Sequence, residues 1–125
     1  MTVLDTSILI DSLTGAKRSA EALRRAIEKG ERLLIPSLVL YEWLRGPRLA
    51  AEIAAQEALF PFDGALNFGS REAALSANLY RSLKRPRGRE VDIAIAACAL
   101  VREAALWTLN KADFRDIPQL RIALF

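Results

Sequence analysis

The apolar positions of this chain fall into short runs whose spacing alternates between continuous stretches and helical periods. Thr2-Val3-Leu4 is β-branched and apolar, and it stops at Asp5-Thr6-Ser7, residue types that favour helix caps and turns. This reads as a strand followed by a helix. From Ser19 to Lys29, Ala20, Leu23 and Ile27 recur at helical spacing, Glu21 and Arg25 stand as an i,i+4 pair, and Gly30 supplies a stop signal. Leu33-Leu34-Ile35 is a continuous apolar run closed by Pro36-Ser37, the pattern of a buried strand that feeds a helix through a serine cap. That helix, from about Leu38 to Arg45, carries Glu42.

Gly46-Pro47 breaks the pattern, and a helix from Arg48 to about Leu59 offers Leu49, Ile53 and Leu59 to a core. Phe60-Pro61-Phe62 reads as a short edge strand. Leu75, Leu79 and Leu83 then repeat every fourth position, in a helix that ends at the basic loop Lys84-Arg85-Pro86-Arg87-Gly88-Arg89. A strongly apolar helix from about Glu90 to Ala104 leads to a strand over Leu106-Trp107-Thr108-Leu109, a turn with Asn110 and Asp113, and a last strand near Arg121 to Leu124. Strands alternating with helices imply βαβ units. The expected fold is therefore α/β: a three-layer sandwich with a mainly parallel central sheet flanked by helices, formed as one domain over residues 1–125. In such sheets ligands bind beyond the carboxyl ends of the strands, where Asp5, Asn110 and Asp113 fall.

Composition narrows the chemistry. With 125 residues, 52% of them hydrophobic, the chain can bury one proper core and has little room for a second domain. A formal charge of +3 suits a polyanionic partner without proving one. The single cysteine, Cys98, lies in the apolar run Ile93 to Val101, so no disulfide forms within the chain and a reducing cytosol fits best. No secretory leader is expected, because Asp5 and Asp11 come too early, and the longest apolar run is about half of the ~18 residues a membrane span needs. Histidine is absent, which removes Ser-His-Asp and Cys-His nucleophilic sites, histidine-rich zinc sites and histidine general bases. Catalysis would have to run on carboxylates, hydroxyls, Lys or Arg.

Asp92 directly precedes the helix face Ile93-Ala94-Ile95-Ala96-Ala97-Cys98-Ala99, where an unpaired carboxylate costs several kcal/mol. It serves either as a first-turn acid favoured by the helix macrodipole or as a metal ligand. Glu42, flanked by Leu40, Tyr41, Trp43 and Leu44, is either part of a solvated face that pairs with Arg45 or part of a site. Asp5 is either a helix cap or a ligand. Taken together, acids delivered to the carboxyl edge by three separate elements would repel one another unless a divalent ion held them ionised. An oxygen-only, histidine-free site suits Mg²⁺, with Mn²⁺ as a substitute, and points to hydrolysis of phosphodiesters by a metal-activated water, leaving a 5′-phosphate and a 3′-hydroxyl.

The ordered set Val3-Leu4-Asp5-Thr6-Ser7, Pro36-Ser37 leading to Glu42 and Gly46, Val91-Asp92 opening an Ala-rich helix, and Thr108-Leu109-Asn110 with Asp113-Phe114 resembles the PIN-domain ribonucleases. Across nearly the whole chain it looks most like the VapC-type toxins of toxin-antitoxin pairs. The resemblance implies that Asp5 and Asp92 are the principal metal ligands, that Glu42 is a third acid on the metal or its water, and that Thr6 or Ser7 and Thr108 are supporting hydroxyls. Family members place an Asp or Asn at a fourth position, where Asn110 and Asp113 both qualify; Asp113 is favoured for its charge, and Asp116 reads as a turn residue before Pro118. A one-metal site is the default.

The resemblance further implies an RNA substrate, an antitoxin that covers the site and a homodimer, while the short apolar runs and the single cysteine lead to the expectation of no membrane and a cytoplasmic location. Arg81 and Lys84 belong to the basic stretch before Asp92, and its Arg85, Arg87 and Arg89 are candidates to meet an RNA backbone, an ordinary solvated loop being the alternative. No stacking aromatics are interleaved there, and Trp43 and Trp107 read as core. Two other readings stand beside the nuclease. A haloacid-dehalogenase-type phosphatase also starts from a strand ending in Asp but needs a second Asp where this chain has Ser7. A binding module could have kept the fold and lost the chemistry.

Overall fold

The sheet is built from the shortest apolar runs. In the computed structural model, which describes residues 1–125, β1 (Thr2–Leu4), β2 (Leu33–Leu34) and β3 (Ala105–Trp107) are parallel and lie in the order β2-β1-β3. Thr2 is opposite Leu33 and Ala105, Val3 opposite Leu34 and Leu106, and Leu4 opposite Trp107. Successive strand side chains point to opposite faces, so the burial of Thr2, Val3 and Leu4 together means that β1 is covered on both sides. The cover comes from α1 (Thr6–Leu13), α2 (Ala20–Glu28), α3 (Ser37–Arg45), α4 (Ala50–Leu59), α5 (Ser70–Ser82) and α6 (Glu90–Val101). The expected α/β sandwich is what forms.

The centre of the molecule is α6, in which every residue from Ile93 to Ala99 is buried. Four of those residues are alanines, small enough to let α6 approach α5, α3 and the sheet closely. Cys98 is buried there, and burial pushes its thiol up to about 11. At the far end of the helix, Nη1 of Arg102 donates to the Cys98 carbonyl at 3.0 Å and lies 2.9 Å from Oε2 of Glu72 on α5. Trp43 and Trp107 are core residues, as the sequence suggests. The helix ends at Val101 rather than Ala104, because the chain reverses through Arg102 and Glu103, the latter in left-handed backbone with φ 53°.

Several local expectations are corrected. Phe60-Pro61-Phe62 is not a strand: Pro61 has no N–H to give, and Phe62–Gly64 forms a 3-10 turn. The edge beside β2 is taken instead by Leu66, which donates to the Ile35 carbonyl at 2.8 Å and accepts from the Ser37 N–H at 2.7 Å. The last strand shrinks to one parallel bridge between Ile122 and Leu106, and β3 stops at Trp107 because Thr108 turns its hydroxyl toward Asp5. On α2 the buried pair is Leu23 and Ala26, while Ile27 is exposed and Glu21 bonds Arg24 at 2.9 Å rather than Arg25. The helix after Pro47 begins at Ala50, with Leu49 and Leu59 exposed and Gln56 buried, its amide donating to the Phe60 carbonyl at 2.9 Å. An alanine-rich helix presents little contrast between faces, so a few leucines do not identify the buried one. Pro36 rather than Ser37 holds the cap position of α3, and Ser37 opens the helix. No helix is long and apolar enough to cross a membrane.

Candidate active site

Asp5 follows β1 directly, and its N–H donates to the Trp107 carbonyl at 2.9 Å, so sheet register fixes its place. It holds the N-cap position of α1, yet its side chain makes no cap bond. Oδ2 instead accepts two hydroxyls, Ser7 Oγ at 2.9 Å and the buried Thr108 Oγ1 at 2.7 Å. The two hydroxyls are themselves held: Ser7 Oγ accepts the Leu109 N–H at 3.0 Å, and Thr108 Oγ1 accepts the Asn110 N–H at 2.9 Å. A helix cap explains none of this. The network ties the loop after β3 to the start of α1 and orients Asp5 as an acceptor.

Glu42 reaches the same region from α3. Its Oε1 accepts the Thr6 hydroxyl at 2.5 Å, and its Oε2 lies 3.6 Å from Nη2 of Arg45. The Arg45 pairing is therefore real but long, and the neighbouring hydroxyls Thr6 and Ser7 divide their work between Glu42 and Asp5.

Asp92 lies half-buried in the first turn of α6 and has no hydrogen bond or ion pair within the protein. Burial, then the charges of Asp5, Asp113 and Glu42, push its carboxyl up to about 6, against the pull of Arg89. A first-turn acid serving only the helix dipole would shift the other way. Asp113 sits exposed in the 3-10 turn Lys111–Phe114, anchored by buried Phe114 and Ile117. Of the two candidates for the fourth position, Asp113 is the one whose charge acts on Asp92, while Asn110 contributes its backbone to Thr108.

The basic loop divides. Arg85 and Arg87 are exposed and line a cleft with Tyr80, Lys84 and Pro86, so an aromatic ring does stand beside these cations, brought there by the preceding helix rather than by the loop. Arg89 differs from the free RNA-contacting arm expected of it. Its guanidinium is spent on both carboxylate oxygens of Asp116, at 2.9 and 2.6 Å, and on the Asp113 carbonyl at 2.8 Å. Asp116, read from sequence as a turn residue, is thus a partner of the site's border; nothing local marks a pair 27 residues apart.

The donor set offered by these acids is oxygen only, the preference of hard divalent cations. No three of them close into a preformed cage, and Mg²⁺ does not require one, since it takes one or two carboxylates and keeps its waters. An unpartnered Asp92 facing three further acids fits such an ion.

A parallel α/β sandwich with carboxylates gathered at one edge of its sheet defines an acid-site α/β domain. The PIN domain family model matches residues 2–120, and the chain belongs to that family. It is similar to Ribonuclease VapC19 of Mycobacterium tuberculosis (strain CDC 1551 / Oshkosh), with 33% identity over 128 residues that cover 97% of this chain and 98% of that protein. Among solved structures it resembles DNA-bound VapBC from Salmonella typhimurium, with a TM-score of 0.79 and 26% identity over 98% of this chain and 96% of the other. VapBC2 from Rickettsia felis, bound to a DNA fragment from its promoter, gives a TM-score of 0.76 at 20% identity, covering 99% and 98%, and speaks for the fold alone. Family membership removes the phosphatase reading, and Ser7, where that chemistry needs a second acid, is bonded to Asp5.

Proposed function

We propose that this chain is a metal-dependent endoribonuclease and the toxin of a toxin-antitoxin pair. The observation that carries this reading is Asp92, a half-buried carboxylate with no hydrogen bond or ion pair, set against three more acids on separate elements whose charges outweigh the pull of Arg89. A fold gains nothing from such repulsion unless a cation relieves it. Asp5 and Asp92 would hold Mg²⁺ or Mn²⁺, with Glu42 and Asp113 on the ion or its waters. A divalent cation bound there neutralises charge on phosphoryl oxygens and lowers the pKa of a water.

The chain's own residues do the rest. Ser7 and Thr108 donate to Asp5 and fix the orientation of its carboxylate. Thr6 orients Glu42 to accept a proton from the attacking water. Arg85 and Arg87 meet the RNA backbone from the adjoining cleft. The named ribonuclease among the relatives supports RNA as substrate, and the VapBC complexes support an antitoxin partner. Tyr41 and Leu44, exposed on either side of Glu42, suit a protein cover over the site.

The test is the purified protein with single-stranded and structured RNAs in Mg²⁺, Mn²⁺ or EDTA, beside Asp5→Asn. Cleavage that needs metal and fails in the variant is expected. Metal-independent cleavage, or full activity in the variant, overturns the reading.

A further inference from the structure

Arg89 ties together two segments that no secondary structure joins, the basic loop before α6 and the turn from Asp113 to Asp116. Its Nη1 donates to the Arg85 carbonyl at 3.3 Å and to Oδ2 of Asp116 at 2.9 Å; its Nη2 donates to the Asp113 carbonyl at 2.8 Å and to Oδ1 of Asp116 at 2.6 Å. The result is a fork-on-fork pair, the strongest and most directional form of ion pair, built at the cap position of α6 three residues before Asp92. Its other side lies on the short turn that carries Asp113. That turn has only Phe114 and Ile117 in the core, and Asp113 itself is exposed. Packing therefore fixes the turn's root, and the fork fixes the backbone at its acid through the Asp113 carbonyl.

We propose that Arg89 and Asp116 are positioning residues that hold Asp113 against Asp92, so that one ion can be shared by both. The inference rests on the acid site being a metal site. Two like charges brought together on separate segments push those segments apart. A guanidinium bonded to one segment's carbonyl and seated at the other's helix start opposes that push by geometry and by charge. Asp116 is the part that makes this specific: by occupying both arms of the fork it stops Arg89 from swinging onto Asp92 or Asp113 and taking the place of the ion. Asp92 is left without a hydrogen bond or ion pair in the protein, so both of its oxygens are open to an ion.

The experiment is Mn²⁺ binding to the purified full chain, read by electron paramagnetic resonance of free ion, for the native protein, Asp92→Asn, Asp116→Asn, Arg89→Lys and Asp113→Asn, and for Asp116→Asn in the Asp113→Asn background. Circular dichroism checks that each is folded. Outer contacts of this kind typically contribute about 10–100-fold in metal affinity. Asp116→Asn and Arg89→Lys are each expected to weaken Mn²⁺ by about 10-fold or more, Lys failing because it keeps the charge and loses the fork. In the Asp113→Asn background Asp116→Asn should add little, because the residue it positions is gone. Native affinity in Asp116→Asn and Arg89→Lys overturns the proposal, and so does an equal loss in both backgrounds, which would make the fork a mere staple. Failure of the native protein to bind Mn²⁺, or native affinity in Asp92→Asn, overturns the metal site itself and this proposal with it.

Discussion

Glu72 on α5 and Asp92 on α6 are both withdrawn from solvent at the same helix pair, yet their carboxylates are held in opposite ways. Glu72 is 6% exposed; its own backbone N–H, and then the Arg102 guanidinium at 2.9 Å, keep it below its ordinary value in spite of burial. Asp92 has no such partner, and burial with three neighbouring acids raises it to about 6. One acid is finished as a structural contact within the chain. The other is an incomplete site that awaits something from outside. Burial alone therefore does not mark a functional acid; burial without a partner does.

The comparison can be broken most severely by neutralising the unfinished acid. Asp92→Asn should lower metal-dependent RNA cleavage by more than about 100-fold, beyond the range of outer contacts, and should abolish the rise in melting temperature that saturating Mn²⁺ gives the native protein. Glu72→Gln should do the reverse, costing about 1–2 kcal/mol in urea denaturation while leaving Mn²⁺ affinity unchanged. Arg102 keeps the Cys98 carbonyl and some solvent, which limits that cost. Thr108→Val removes a buried donor to Asp5 and should reduce kcat by about 10-fold with little change in KM.

The smallest effect is on pH dependence, and its sign separates the two acids. Without metal, the raised Asp92 contributes stability that is fully present below 3.8 and lost as pH rises through about 6. Glu72 contributes stability present above 4.5 and lost as pH falls below it. The melting temperature of the metal-free protein should therefore rise as pH is lowered from 8 to 5. Asp92→Asn should flatten that rise, and Glu72→Gln should leave it in place.

Asp5 and Asp92 were legible because each interrupts an apolar run where a helix begins, and Glu42 because it is the one charge among Leu40, Tyr41, Trp43 and Leu44 inside α3. Their hydroxyl partners were legible only as a set. That Thr6 serves Glu42, 36 residues away, and that Thr108 serves Asp5, 103 away, depends on how α3 and β3 pack against α1. The Arg89–Asp116 fork was invisible for the same reason, since two charged residues in two loops carry no periodic signal. The sheet edge at Leu66 was missed because one or two backbone bonds need no strand-like composition, the edge at Ile122 was expected as a longer strand than the single bridge that forms, and the buried face of α4 was misread because alanine does not distinguish inside from outside.

Cys98 gives the molecule a built-in reporter. It is the one cysteine of the chain, packed in the middle of α6, and its thiol, at about 11, stays protonated and unreactive while the helix is in place. A maleimide can reach it only when α6 leaves the core, so the rate of alkylation in the native protein measures how often the centre opens. Ligands that bridge the start of α6 to the rest of the fold should slow that rate in proportion to their binding, which lets metal or antitoxin engagement be timed by mass spectrometry on the unaltered chain.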